Sequence, residues 1–197
     1  MKKVCLVLVL AVSAISTTQA QVSWGIKGGA NLLFVSAEDN GVKLKQDNVI
    51  SGYHLGPMIE CGLPAIGEGF ALDAALLYSH NGYNYDGSDF SQGNILIPVN
   101  FKYKFDLSDN LRGYALAGPY FNLNITDNAY KMNPEKDDEV ITGGFGGGLN
   151  IGVGLELKKH FQAGVSYQLS LTNDLTIDAN SAKTKNSGLV VSVAYLF

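Results

Sequence analysis

Phe145-Gly146-Gly147-Gly148-Leu149-Asn150-Ile151-Gly152-Val153-Gly154-Leu155-Glu156-Leu157 decides the fold. Phe145, Leu149, Ile151, Val153, Leu155 and Leu157 share one parity, and Gly146, Gly148, Asn150, Gly152, Gly154 and Glu156 share the other. A repeat of two residues is a strand with unlike faces. The second face is unusual for a strand in water, which carries more Lys, Glu and Thr. Glycine and small polar side chains suit the inside of a narrow barrel, where space is short.

Seven more stretches repeat in the same way. From Ser23 to Val35, Trp24, Ile26, Ala30, Leu32 and Phe34 oppose Ser23, Gly25, Lys27, Gly29 and Asn31. From Ile50 to Cys61, Tyr53, Leu55, Ile59 and Cys61 oppose His54, Gly56 and Glu60. Phe70, Leu72, Ala74, Leu76 and Tyr78 oppose Asp73 and Ser79, and Ile95 to Phe105 alternates with Asn94, Asn100, Lys102 and Lys104. Leu111 to Ile125 is the weakest run, with Arg112, Tyr114, Tyr120, Asn122 and Asn124 on its polar side. Phe161 to Leu169 and Leu189 to Phe197 complete the set. Each run supplies the roughly 9–11 residues that a tilted strand needs to cross hydrocarbon.

The connections alternate in length. Residues 36–49, 79–93, 126–142 and 172–186 are long and polar, whereas 62–69, 106–110 and 158–160 are short. Long loops on one side and short turns on the other mark an outer-membrane barrel. The expectation is an all-β, eight-stranded antiparallel up-and-down transmembrane β-barrel. An even strand number puts both termini on the short-turn side, which is the periplasm for an exported chain. Pro57, Pro98 and Pro119 each remove a ladder donor, so bulges or unpaired positions are expected there.

Composition fits export. Lys2 and Lys3 precede the apolar run Val4 to Val12, and Thr18-Gln19-Ala20 offers small residues for cleavage. Residues 1–20 read as a signal peptide and 21–197 as the barrel domain. Cys5 lies at the start of the apolar run rather than after it, which argues against a lipoprotein signal. Cleavage leaves 12 basic against 18 acidic residues, a net charge of −6. That is not the basic balance of a nucleic-acid binder. One cysteine, Cys61, remains, so no internal disulfide forms.

A secreted soluble barrel or sandwich would also alternate. Three features weigh against it: the small polar face, a chain that ends within a strand on Phe197, and aromatics gathered at one end of the apolar face. Trp24, Phe70, Tyr103, Phe105, Phe161, Tyr195 and Phe197 would form a periplasmic girdle at headgroup level.

The mature start Val22-Ser23-Trp24-Gly25-Ile26-Lys27-Gly28-Gly29-Ala30-Asn31 resembles the opening strand of the Bacteroidetes outer-membrane β-barrel family, labelled PorT-like or "porin family". Ile97-Pro98-Val99-Asn100-Phe101-Lys102-Tyr103 and Ala117-Gly118-Pro119-Tyr120 resemble its fourth-strand and Gly-Pro-Tyr segments. The resemblance implies an eight-stranded outer-membrane barrel and no reaction. The last strand, with Leu189, Val191, Val193, Tyr195 and Phe197, resembles the signal read by the barrel-assembly machinery. The expected partners are that machinery and outer-membrane lipid.

Strand direction brings the inward charges to one end. Lys27, Asp73 and Arg112 lie early in upward strands, and Glu60, Lys102, Lys104 and Glu156 late in downward ones. Buried charges persist only when paired, so an ion-paired layer should close the periplasmic half. The alternative is a narrow channel lined by these charges.

Catalytic sets are poorly supported. Ser79 and His80 end the third run, with Asp86 and Asp89 in the next loop, but adjacent strand residues point to opposite faces. His54 reads as a hydrogen-bonded lumen group and His160 as a solvated turn residue. The three histidines lack metal-ligand spacing. Glu135-Lys136-Asp137-Asp138-Glu139 lacks the calcium-loop pattern, and the glycines at 143–148 precede no Lys-Ser/Thr. The favoured reading is therefore non-enzymatic and free of cofactors. It is an envelope barrel whose long loops meet ligands, ahead of a channel and then of a lipid-modifying enzyme.

Overall fold

In the computed structural model, Val22 pairs with Cys61, Cys61 with Leu72, Leu72 with Phe101, and Phe101 with Ala117. The line continues through Ile151, Tyr167 and Leu189 and arrives at Leu32. One circuit of the wall therefore closes on the starting strand, ten residues above the starting point. Ten residues at about 3.3 Å each, against eight strand spacings of about 4.8 Å, give a tilt of about 41°. That is the geometry of a closed eight-stranded barrel, whose narrow interior side chains can fill.

The structure describes residues 22–39, 42–85, 88–125, 130–131, 139–140, 145–172, 175–177 and 182–197. The strands are β1 (Val22–Asp39), β2 (Val42–Gly62), β3 (Phe70–Ala75), β4 (Leu77–Tyr85), β5 (Ser88–Ser108) and β6 (Leu111–Asn124). They continue as β7 (Tyr130–Lys131), β8 (Glu139–Val140), β9 (Phe145–Leu157), β10 (Phe161–Ser170), β11 (Leu175–Ile177) and β12 (Ala182–Leu196). Around the wall the order is β1, β2, β3 with β4, β5, β6, β9, β10, β12, and back to β1, antiparallel throughout. β3 and β4 are two halves of one wall strand, so the wall has eight. β7 pairs only with β8, and β11 extends the edge of β12.

The two faces are inverted relative to a soluble protein. Trp24, Val193 and Phe197 are 60% exposed or more, whereas Lys102, Glu156 and Asp73 are 2% exposed or less. Water does not tolerate an apolar surface that runs round the whole molecule. On β9 the outward residues from Phe145 to Leu157 span twelve steps. Allowing for tilt, that is about 30 Å, the thickness of a hydrocarbon core. Inside, Met58, Ala75, Leu77, Leu96 and Tyr120 form the apolar part of the packing.

One expectation needs correction, and another resolves to one of its two alternatives. Residues 36–49 and 79–93 are not simple loops: Asp39 still pairs with Val42, and Tyr85 with Ser88. A backbone ladder does not need an apolar face, so periodicity disappears there while pairing continues. The prolines, in turn, make unpaired positions and no bulge. Leu76, at the break between β3 and β4, lies against Pro57 and donates to its carbonyl at 3.0 Å. Pro98 pairs with Tyr120, and the next rung is Phe101 with Ala117. Pro98 and Pro119 thus share one gap, with the same register on either side of it. A missing rung keeps the alternation, whereas a bulge would turn every later side chain to the other face.

Candidate functional site

The seven inward charges meet in one chain of contacts near the short-turn end. Lys27 stands 3.9 Å from Asp73, and Lys102 reaches Asp73 at 2.9 Å and Glu60 at 2.8 Å. Lys104 pairs with Glu60 and, at 2.6 Å, with Glu156; Arg112 pairs with Glu156. Alternation puts them all inside, and register brings them level. Glu60 is directly opposite Asp73, and Arg112 opposite Glu156.

The chain crosses the lumen. β2 and β9 are four strands apart in either direction, so Glu60 and Glu156 stand on opposite walls. Lys104, from β5 midway between them, holds both. Gln162 on β10 donates to Glu60 at 3.0 Å and Glu156 at 2.8 Å, and accepts from Lys102 at 3.1 Å. Direct wall-to-wall bonding of this kind occupies the cross-section with side chains.

Glycines make the room. Tyr114 lies across Gly154 and Gly164, where an added Cβ would meet its ring or hydroxyl at 2.3–2.5 Å. The Lys102 ammonium sits 4.8 Å from the centre of that ring. The glycine-rich character of β9 is thus the complement of lumen tyrosines on β6.

Higher in the lumen lies a second cluster, centred on His54, the hydrogen-bonded lumen group expected from the sequence, whose partners sequence reasoning missed. Gly29 pairs with His54 on one side and Ser192 on the other. With no side chain at 29, the imidazole spans the gap. Its Nε2 is 3.1 Å from the Ser192 hydroxyl and its Nδ1 is 2.8 Å from the Asn31 carbonyl oxygen. Asn31 donates onward to Ser79 at 3.0 Å and Asn81 at 3.1 Å. Serine, base and orienting amide is the order of contacts of a nucleophilic site. Two requirements are unmet. His54 is 2% exposed, and the Gly29, His54 and Ser192 backbones lie in the wall ladder rather than offering donors to an oxyanion. The cluster ties β1, β2, β4 and β12 together. No sequence pattern signals it, because its members lie up to 138 residues apart and meet only through closure.

The remaining candidates disperse. Ser79 faces inward while His80 lies against Tyr53 outside, with ring centroids 5.4 Å apart and the planes tilted by 32°. Asp89 lies within β5 rather than a loop, and Asp86 falls outside the described residues. So do 135–138 of the acidic run and 143–144 of the glycine run. Among the described residues no three His, Cys, Asp or Glu side chains gather as a metal site. His160 is exposed but not merely solvated, since its Nδ1 lies 2.8 Å from the Leu196 carbonyl.

The outward aromatics at the short-turn end fall into two contact groups. Phe70, Tyr103 and Phe105 form one, with Phe70 and Tyr103 centroids 4.9 Å apart, and Phe101 joins it at 5.4 Å from Phe70. Phe161, Tyr195 and Phe197 form the other, at 4.9 and 5.5 Å. Trp24 adjoins the second group through its carbonyl, which accepts from the Phe197 amide at 2.7 Å.

Comparison with known proteins agrees with this geometry. The sequence profile described as outer membrane protein beta-barrel domain matches residues 5–197. Neisserial surface protein A is 14% identical, with 90% of this chain and 99% of that one covered and a TM-score of 0.50. Ail, the attachment invasion locus protein of Yersinia pestis, is 14% identical over 90% of this chain and 99% of its own, with a TM-score of 0.44. The N-terminal β-barrel domain of Pseudomonas aeruginosa OprF is 16% identical over 91% and 100%, with a TM-score of 0.39. At such identities the likeness is one of fold, and the 0.50 overlay carries it. No curated protein matches the sequence.

Proposed function

We propose, from the premise that this chain belongs to the outer membrane protein beta-barrel domain family, that it is a closed, non-enzymatic envelope barrel working through its outer surface and its long hairpins. The single observation behind this is the bonding of Glu60 and Glu156, from opposite walls, to the same Lys104 and Gln162. An ion-paired plug of Lys27, Glu60, Asp73, Lys102, Lys104, Arg112 and Glu156 leaves no file of water along the axis. Residues 1–20 act as a signal peptide, and both termini lie in the periplasm. The seven aromatics, Trp24 through Phe197, anchor the periplasmic rim. The barrel-assembly machinery reads the final strand. The Trp24-Gly25-Ile26-Lys27, Ile97-Pro98-Val99 and Ala117-Gly118-Pro119-Tyr120 segments favour the PorT-like Bacteroidetes branch of the family.

Planar-bilayer recording from refolded protein tests the plug. The expected trace is flat, and steady unitary conductance from the unmodified chain would overturn closure.

A further inference from the structure

The turn between β9 and β10 is built against its own preference. Lys158 and Lys159 have φ of 52° and 63°, the only non-glycine residues with positive φ among those described. The His160 amide donates to the Leu157 carbonyl at 3.2 Å, so the two lysines are the central residues of a tight turn inside the three-residue connection 158–160, and positive φ at both central positions favours Asn-Gly because a Cβ is strained there. Here two lysines occupy it, and the turn is held from three sides. The Lys158 amide donates to Asn110 at 2.8 Å, the Leu196 amide donates to His160 at 2.7 Å, and the His160 ring stacks on Tyr195 with centroids 6.0 Å apart. The backbone is fixed while both lysines stay exposed.

Strain held at a defined place is a reason to look for a use. The lysines stand at the rim beside Phe161, Tyr195 and Phe197, rings that are 40–69% exposed on the outer face. Aromatics so placed sit at headgroup depth. The other two short turns are acidic, with Glu68 in one and Asp106 and Asp109 in the other. Asp109 adjoins Asn110, yet among the described residues neither lysine forms an ion pair.

We propose that Lys158 and Lys159 hold the phosphate of an anionic glycerophospholipid whose acyl chains lie along β10 and β12. An ammonium is a point charge suited to phosphate, and the neighbouring rings and Leu157 supply the apolar bed for the chains. Net anionic charge is what the site selects, because zwitterionic lipid brings its own cation to a position already filled by two.

The test uses one indole beside the turn. In Trp24→Phe/Phe161→Trp protein, the single tryptophan lies next to His160. Quenching is compared in vesicles containing brominated phosphatidylglycerol or brominated phosphatidylcholine. Phosphatidylglycerol should associate about three- to tenfold more strongly, and Lys158→Asn/Lys159→Gly should bring the ratio to about one. That variant relieves the turn and keeps its hairpin, and an unchanged folded band on a gel run without heating verifies this. Equal association in the parent, or a preference that survives in the variant, overturns the proposal. Both vesicle faces carry the same lipid, so the result stands whichever way the barrel points. It also stands whether or not the lumen conducts.

Discussion

Glu60→Gln and Lys27→Met probe the lumen from opposite sides of its charge balance. The layer holds four cations and three carboxylates, an excess of one positive charge. Losing Glu60 raises the excess to two and takes a partner from both Lys102 and Lys104. At an effective dielectric of about 20, charges at the 2.8 Å of the Lys102–Glu60 pair attract by about 6 kcal/mol. Two pairs disappear, but the cost of burying Glu60 disappears with them, and Lys102 and Lys104 keep Asp73 and Glu156. The net loss should fall at about 3–5 kcal/mol, the range for breaking a buried pair. Lys27→Met instead brings the layer to balance. It removes the longest contact, 3.9 Å, while Asp73 remains with Lys102 at 2.9 Å. Its cost should stay within about 1 kcal/mol. Reversible urea unfolding in short-chain phosphatidylcholine vesicles reads both, followed through Trp24, the single tryptophan of the chain. Equal losses for the two variants would refute the reasoning.

Adjacent glycines on β1 should respond differently. A Cβ at Gly29 would stand 1.9 Å from the Val191 carbonyl and 2.8 Å from the His54 ring, so Gly29→Ala should cost about 1–3 kcal/mol. At Gly28 the nearest atom is a Leu55 methyl at 3.1 Å, and Gly28→Ala should stay within about 0.5 kcal/mol in the same urea assay. Lys158→Asn/Lys159→Gly should raise stability by about 1–2 kcal/mol, since the left-handed strain at both residues is relieved; an unchanged urea midpoint would contradict that. Cys61 is on the outward parity but only 4% exposed, between Val22 and Leu72. A polar maleimide should leave it unlabelled in the folded signal-free chain and label it in urea, as read by intact mass.

The fold was legible because it lies in local parity. Each run around Trp24, Phe101 or Val153 announces which side turns outward, and the short turns announce the direction of travel. What escaped depends on register, which no single strand encodes. That Lys104 would touch both Glu60 and Glu156, or that Ser192 would reach His54 over Gly29, follows from the ten-residue climb of the closed wall. The continuation of β1 and β2 through residues 36–50 escaped for a different reason. The sequence there does not alternate, so the two-residue signal is absent although the ladder continues.

The wall is sealed by its last strand against its first, from Gly25 with Leu196 to Glu38 with Lys183. These partners are the most remote in sequence that the chain contains, so their meeting is the slowest kind of event in folding. Until the carboxyl end exists, β1 and β10 each present a row of unmatched amides and carbonyls flanked by grease, the arrangement most prone to aggregate. A ribosome-released fragment stopping short of Ala182 therefore has no partial version of this protein to become. Pairing of β12 with β1 is the step that closes both open edges at once.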